Sequence, residues 1–219
     1  MAQETDFSFN VPPEFEKITK NIKSIVVGLI AVLVVFSSFY TVETEEVGVI
    51  TRFGKYISKA QPGLNFKIPF IDKVQYVPVR RQLKDEFGYR TATAGVNSTY
   101  RKAGYGGESL MLTGDLNLAD VEWVIQYRID DPYNYLFKVR NPDETLRDIS
   151  ETAMRQIVGD RTVDEVITVG RAEVALEAEL IIQKICDEYA LGIKIEQLVL
   201  QDVNPPDPVK PSYNGVNEA

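Results

Sequence analysis

The sequence predicts an α+β body hung from a single N-terminal transmembrane helix, and three observations carry that expectation. Ile25 to Val42, IVVGLIAVLVVFSSFYTV, runs eighteen residues without a charge. Residues 47–79 then alternate apolar and polar side chains between glycine and proline turns, the period of a small antiparallel sheet. Residues 141–189 change to helical spacing behind capping residues, and strand patterning returns at 193–203.

As a helix rising about 1.5 Å per residue, the apolar run reaches roughly 27 Å. That is close to the roughly 30 Å hydrocarbon core of a bilayer. A helix satisfies its own backbone there, which lipid requires. Ile25, Leu29, Leu33, Phe36, Phe39 and Tyr40 are the expected anchor residues, with Tyr40 at the headgroups. Two other readings compete. A buried core helix normally keeps a polar face, whereas this run has only Ser37 and Ser38 near its end. A cleavable signal peptide has a shorter apolar core, of about 7–15 residues, and small residues at its end. Lys17, Lys20 and Lys23 precede the run and Glu43, Glu45 and Glu46 follow it. Positive charge stays on the cytoplasmic side. The expected topology is a cytoplasmic tail (1–23), one inner-membrane helix (24–42) and an extracytoplasmic body.

Composition excludes several function classes. The chain has 219 residues and a net charge of −8, which argues against nucleic-acid binding by bulk attraction. It has one cysteine, Cys186, so it forms no internal disulfide. It has no histidine, which removes Ser-His-Asp and Cys-His nucleophiles and histidine-rich metal sites. No catalytic residue, cofactor or metal is expected.

Within the body, residues 43–87 form the first sheet region. Positions 47, 49, 51 and 53 share one strand face, and Gly54-Lys55 and Pro62-Gly63 mark turns. Leu64, Phe66, Ile68 and Phe70 alternate as a half-buried strand that Pro69 forces to an edge or end, and Lys73–Val79 is a third strand. Residues 88–107, GYRTATAGVNSTYRKAGYGG, read as a long loop with five glycines and three tyrosines. It is either solvated or a protein contact through Tyr100 and Tyr105. It carries no phosphate-loop pattern.

Residues 108–204 form the second region. Ser109–Thr113 and the alternating run from Val121 to Ile129 are strands, with Trp123 in the core. Asp131-Pro132 and Asn141-Pro142 each begin a helix, and Asn141 with Glu144 spells a capping box. Leu146, Ile149, Ala153, Met154, Ile157 and Val158 make the apolar stripe of that second helix, and Gly159 ends it. Thr162 with Glu165 spells a second box. A longer helix, Arg171 to Tyr189, buries Val174, Ala178, Ile181, Ile182, Ile185 and Tyr189, with Cys186 beside them as a buried thiol. Leu176 and Leu180 fall on its other side, against either a neighbouring subunit or another part of the same chain. Residues 205–219 are proline-broken and then weakly helical, the expected start of an extension that continues further.

Five stretches together resemble the SPFH or band-7 family of stomatins, prohibitins, flotillins and HflK and HflC proteins. They are EEVGVITRFGK (45–55), PGLNFKIPFIDKV (62–74), LMLTGDLNLADVEWVIQYRI (110–129), DETLRDISETAMRQIVG (143–159) and LQDVNPPDPV (200–209). Each is weak alone; their order is specific, covers about 43–210, and is most similar to the HflK-like branch. The resemblance implies a non-enzymatic scaffold that alternates with an HflC-like subunit in a large hetero-oligomeric cage around an FtsH-like membrane AAA protease. It implies that Phe66, Ile68, Pro69 and Phe70 meet the outer leaflet, where their strand pattern alone favours burial. The long helix expected after the PPDPV segment is missing, and the family offers no assignment for 88–107. A stomatin-like or prohibitin-like organiser of membrane microdomains without a protease partner is the alternative. A tethered hydrolase using carboxylates or a Ser-Lys pair is the third reading. Asp143-Glu144 and Asp164-Glu165, however, sit at helix starts, where they complement the dipole.

Overall fold

The computed structural model describes residues 13–93, 98–168, 170–206 and 209–210. Residues 1–12 of the expected tail (1–23) and most of the expected extension lie outside the described residues, and residues 13–23 of that tail are helical. Helix α1 spans Pro13–Ser37. It ends there, five residues before the end of the apolar run at Val42. The Ser38 N–H closes the last turn on the Val35 carbonyl at 3.1 Å, and its hydroxyl donates to the Val34 carbonyl at 2.8 Å. Phe39–Val42 is instead strand β1. Its aromatic and β-branched residues suit a pleated ribbon. The uncharged helical part, residues 24–37, is therefore only about 21 Å long. Among the described residues no helix is long and apolar enough to cross a membrane.

Four strands follow: β2 (Glu46–Arg52), β3 (Lys55–Ala60), β4 (Gly63–Phe66) and β5 (Asp72–Pro78). β2 is the middle strand of an antiparallel β3-β2-β5 sheet, and β1 pairs with β4 in a separate ribbon. Val49 and Thr51 turn inward as expected, but Phe53 is 85% exposed. Phe53 and Gly54 both have positive φ, at 49° and 83°, and form the tight β2–β3 turn. The expected strand through Phe70 stops at Phe66, and Leu64 and Phe66 face outward.

The second region contains β6 (Leu83–Phe87), β7 (Arg90–Thr93), β8 (Thr99–Arg101), α2 (Gly106–Ser109), β9 (Leu110–Leu112), β10 (Leu118–Ile129), α3 (Pro132–Phe137), α4 (Pro142–Gly159), α5 (Val163–Ile167), α6 (Arg171–Glu188) and β11 (Ile193–Asn204). Its sheet runs β11-β10-β6, with β9 pairing the first part of β10. The main core lies between one face of this sheet and helices α4–α6. It joins Met111, Val121, Trp123 and Ile125 to Leu146, Met154, Val174 and Ile182. The Thr162–Glu165 capping box forms in full. The one at Asn141 does not: its side-chain amide donates to the Glu144 carboxylate at 2.9 Å rather than capping the backbone. Tyr189 is not in the core; it caps α6 and is exposed. Residues 88–107 are not one open loop, because β7 and β8 form an antiparallel hairpin within them.

The two regions meet through Val49, Val77 and Ile129. The Tyr56 ring stands edge-on to Tyr133 at 4.8 Å, and Lys59 pairs with Asp131 at 2.7 Å. Strand β11 lies at the edge of its sheet, interrupted by two register shifts against β10. Side chains from α6 occupy that edge. The Gln183 amide accepts from the Ile195 N–H at 2.7 Å and donates to the Ile193 carbonyl at 3.3 Å. Arg171 donates to the carbonyls of Leu200 and Gln201 at 3.5 and 3.4 Å.

Candidate functional site

The most distinctive surface begins where α1 ends. In the β1–β4 ribbon, Phe39 pairs with Phe66 and Thr41 with Leu64 on one face; Tyr40 pairs with Asn65 and Val42 with Gly63 on the other. The second face is inside: Tyr40 and Val42 pack with Ala60, and the Lys67 ammonium lies 5.7 Å from the Tyr40 ring centre. Tyr40 is thus a core residue of the ribbon and not a headgroup contact. The first face is outside, with the Phe39 and Phe66 rings in edge contact at 5.9 Å. The Lys67 N–H donates to the Ser38 carbonyl at 2.8 Å, which ties the strand end to the helix end. Ile25, Leu29, Leu33 and Phe36 on α1 are exposed.

The segment after β4 is held from within. Asp72 accepts from the Ile68 N–H at 2.9 Å and takes Arg52 in a two-pronged ion pair at 2.7 and 3.1 Å. Its side chain is 3% exposed. The Arg52 bond, and then the Ile68 N–H, hold its carboxyl below the usual aspartate range. This turn lifts Phe70 to its tip, at positive φ of 66° and 93% exposed. The structure therefore leaves Phe39, Leu64, Phe66, Ile68 and Phe70 exposed in the chain just beyond α1, where the strand pattern favours burial for Phe66, Ile68 and Phe70. The alternation reads Leu64 as part of a half-buried strand as well.

The other candidate contacts lie apart from this ribbon. Leu176 and Leu180 are exposed on α6, as their helical angle predicts. Tyr100 is exposed and meets the Tyr89 ring at 5.4 Å, whereas Tyr105 lies under the Arg90 guanidinium at 4.4 Å. Arg90 also grips Glu108 through two bonds of 2.7 and 3.0 Å, and Arg147 of α4 reaches the same carboxylate at 3.3 Å. Tyr105 is thereby part of a clamp holding the hairpin to the body. Cys186 is buried, and burial pushes its thiol up to about 12.

Next to the clamp, Asp85 on β6 pairs with Arg147 at 3.5 Å, and its Oδ2 is buried without a hydrogen-bond partner among the described residues. Burial raises its pKa, Asp143 adds to the rise, and Arg147 opposes it. A carboxyl with a raised folded-state pKa contributes stability below its unfolded pKa and loses it as pH rises through the folded value. Asp85→Asn is therefore expected to raise the Tm at pH 7. The gain should shrink as pH falls toward roughly 4, near the unfolded aspartate pKa. Thermal melts across this range check it; a lower Tm at pH 7 contradicts it.

Known proteins resemble this chain in sequence. The SPFH domain / Band 7 family matches residues 40–219. A protein named HflK from Treponema pallidum is 40% identical over 174 residues, covering 78% of this chain and 53% of that protein. HflK from Borreliella burgdorferi is 29% identical over 198 residues, covering 90% of this chain and 63% of the relative. The Escherichia coli K12 protein named Modulator of FtsH protease HflK is 33% identical over 191 residues, covering 87% of this chain and 41% of the relative. The chain spans about half the length of the curated relatives it matches. With both sheet regions and the helical layer inside the matched stretch, the chain belongs to the SPFH domain / Band 7 family.

Proposed function

We propose that this chain is a non-enzymatic membrane scaffold, an HflK-like subunit that alternates with an HflC-like subunit in a cage around an FtsH-like membrane protease. The E. coli relative's name, a modulator of FtsH protease, supports the partner. One observation carries the membrane part: the exposed apolar residues of α1 are followed directly by the exposed Phe39–Phe66 face of the ribbon. In this reading α1 crosses the inner membrane with its N-terminus in the cytoplasm. Its uncharged part is about 21 Å long, less than the hydrocarbon thickness of about 30 Å. Lys17, Lys20 and Lys23 precede this part in the sequence, on the cytoplasmic side in this topology. At the other end the ribbon and Phe70 fill the outer boundary, and burying a phenylalanine there contributes about 1.5–3 kcal/mol.

The partner assignment is tested by purifying the full-length protein from its native membrane in mild detergent and identifying its companions. An HflC-like subunit and an FtsH-like protease are expected together. Recovery of a large homo-oligomer with neither would overturn the assignment and favour a microdomain organiser. The membrane contact is tested separately with Phe70→Trp in liposomes containing brominated lipid. The new indole is expected to be quenched, while the buried Trp123 keeps its emission as an internal reference. No quenching at position 70 sinks the outer-leaflet contact.

A further inference from the structure

The sheet of the second region has two faces, and only one is packed against helices. Along β10, Ala119, Val121, Trp123 and Ile125 point into the core, as does Met111 of β9. Their neighbours point the other way. Leu110, Leu112 and Leu118 stand exposed on this outer face, and Leu116 projects from the β9–β10 turn at 80% exposure. Cross-strand register places Leu118 beside Leu112 and Asp120 beside Leu110, and Glu122 beside Asp202 of β11. A leucine row thus runs directly into a row of carboxylates.

The carboxylate end is a cleft of about 220 Å³ lined by Tyr89, Tyr100, Lys102, Glu122, Gln201 and Asp202. The β7–β8 hairpin supplies its aromatic wall. Glu122 is buried, and its cation is Lys102, at 2.6 Å; Asp202 is 3.6 Å from the same ammonium. The Lys102 side chain is 56% exposed and follows directly on a strand of three residues. Asp120 Oδ1, next along β10, is buried without a hydrogen-bond partner among the described residues. One lysine therefore serves two carboxylates, and a third, Asp120, stands two residues along the same face of β10. Desolvation keeps the Glu122 pKa high despite that lysine. A buried carboxylate stripped of its cation is costly, but exchanging one cation for another preserves the pair.

We propose that this outer sheet face docks a protein segment presenting a guanidinium or ammonium group alongside aliphatic side chains, with Lys102 occupying the cation's place when the surface is empty. Arginine fits better than lysine: its planar fork can bond Glu122 and Asp202 together, and its face can lie against tyrosine. Positions two apart on an extended strand are separated by roughly 7 Å. An extended segment with arginine followed by leucines at every second position therefore sets its cation at Glu122 while its leucines reach Leu110, beside Asp120, and the Leu112–Leu118 pair beyond it. Aliphatic groups tied to the cation distinguish such a segment from a free amine, which would leave the leucine row uncovered. The surface is separate from α1 and the ribbon, so it stands whether or not the membrane assignment does.

The probe is a fluorescein-labelled RSLSL peptide, compared by anisotropy with an ESLSL counterpart on the full chain in nanodiscs. RSLSL is expected to bind at least about tenfold tighter. Glu122→Gln, and separately Leu112→Ser with Leu118→Ser, should each weaken it by about tenfold. Lys102→Ala should tighten it by roughly threefold, because the internal cation no longer competes. General loss of structure would weaken binding in every variant, so the opposite sign at Lys102 is diagnostic. If Glu122→Gln fails to fold, Asp202→Asn, at a half-exposed position, replaces it. Equal binding of the two peptides, or no tightening in Lys102→Ala, overturns the proposal.

Discussion

Replacing Trp123 with alanine is expected to destabilise the fold by about 3–5 kcal/mol, the range for emptying a large aromatic site in a packed core. Trp123 is fully buried at the centre of β10. Its ring stacks on Phe87 at 4.5 Å with the planes 3° apart, and Arg147 of α4 covers the other aromatic at 4.4 Å. The change therefore removes the β10 end of a pile that runs through Phe87 of β6 to Arg147 of α4. Its indole N–H is buried without a partner among the described residues, so losing that group returns a little of the energy. Trp123→Phe keeps the stack and removes the orphan donor, so it should cost far less. Denaturant melts followed by circular dichroism check both, and a loss below about 1 kcal/mol in Trp123→Ala would contradict the packing described.

Gly192→Val is expected to cost about 3 kcal/mol or more, for two separable reasons. Gly192 follows α6 at positive φ of 72°, where a side chain costs about 1 kcal/mol. A Cβ there would also run into the Asp131 carbonyl oxygen and lie 2.8 Å from the Tyr135 nitrogen, both backbone atoms of the α3 start. Its own carbonyl accepts from the N–H groups of Asp130 and Asp131, so any shift breaks the β10–α3 corner. Gly54 provides the control. Its φ is 83°, yet a methyl at that position would meet nothing within 4 Å, so Gly54→Ala should show only the conformational cost of about 1 kcal/mol. If the two positions respond alike, close approach is not what requires glycine at 192.

Local signals carried most of the helical layer. The stripe from Leu146 to Val158 and the Thr162–Glu165 box depend on neighbours three and four residues away, so both can be read along the chain. The alternation of β10 and the inward Trp123 are legible for the same reason. What fails is non-local. Phe39–Val42 continues an apolar run, and only pairing with β4 makes it a ribbon. Strand β6, LKDEF, shows consecutive charges that hide its strand character. They are tolerated because Lys84, Thr91 and Arg147 supply partners from within and beyond the strand. The leucine row is hidden because Leu-Met-Leu offers no polar residue to mark its outer face, and Tyr189 reads as buried only when the helical stripe is extended through its cap. For the candidate site, the residues of the Phe66–Phe70 turn are visible but their direction is not. That direction depends on Asp72 and Arg52, which bond across paired strands.

The closed margin of β11 bears on how copies can stand side by side. Where Gln183 and Arg171 take up its main-chain groups, at Ile193, Ile195, Leu200 and Gln201, and where its line breaks twice, that strand cannot lend its backbone to extend a sheet into the next molecule. Any neighbour on this flank must be chosen by side-chain fit and charge. Such a contact can tell one homologue from another, whereas backbone pairing would accept nearly any strand.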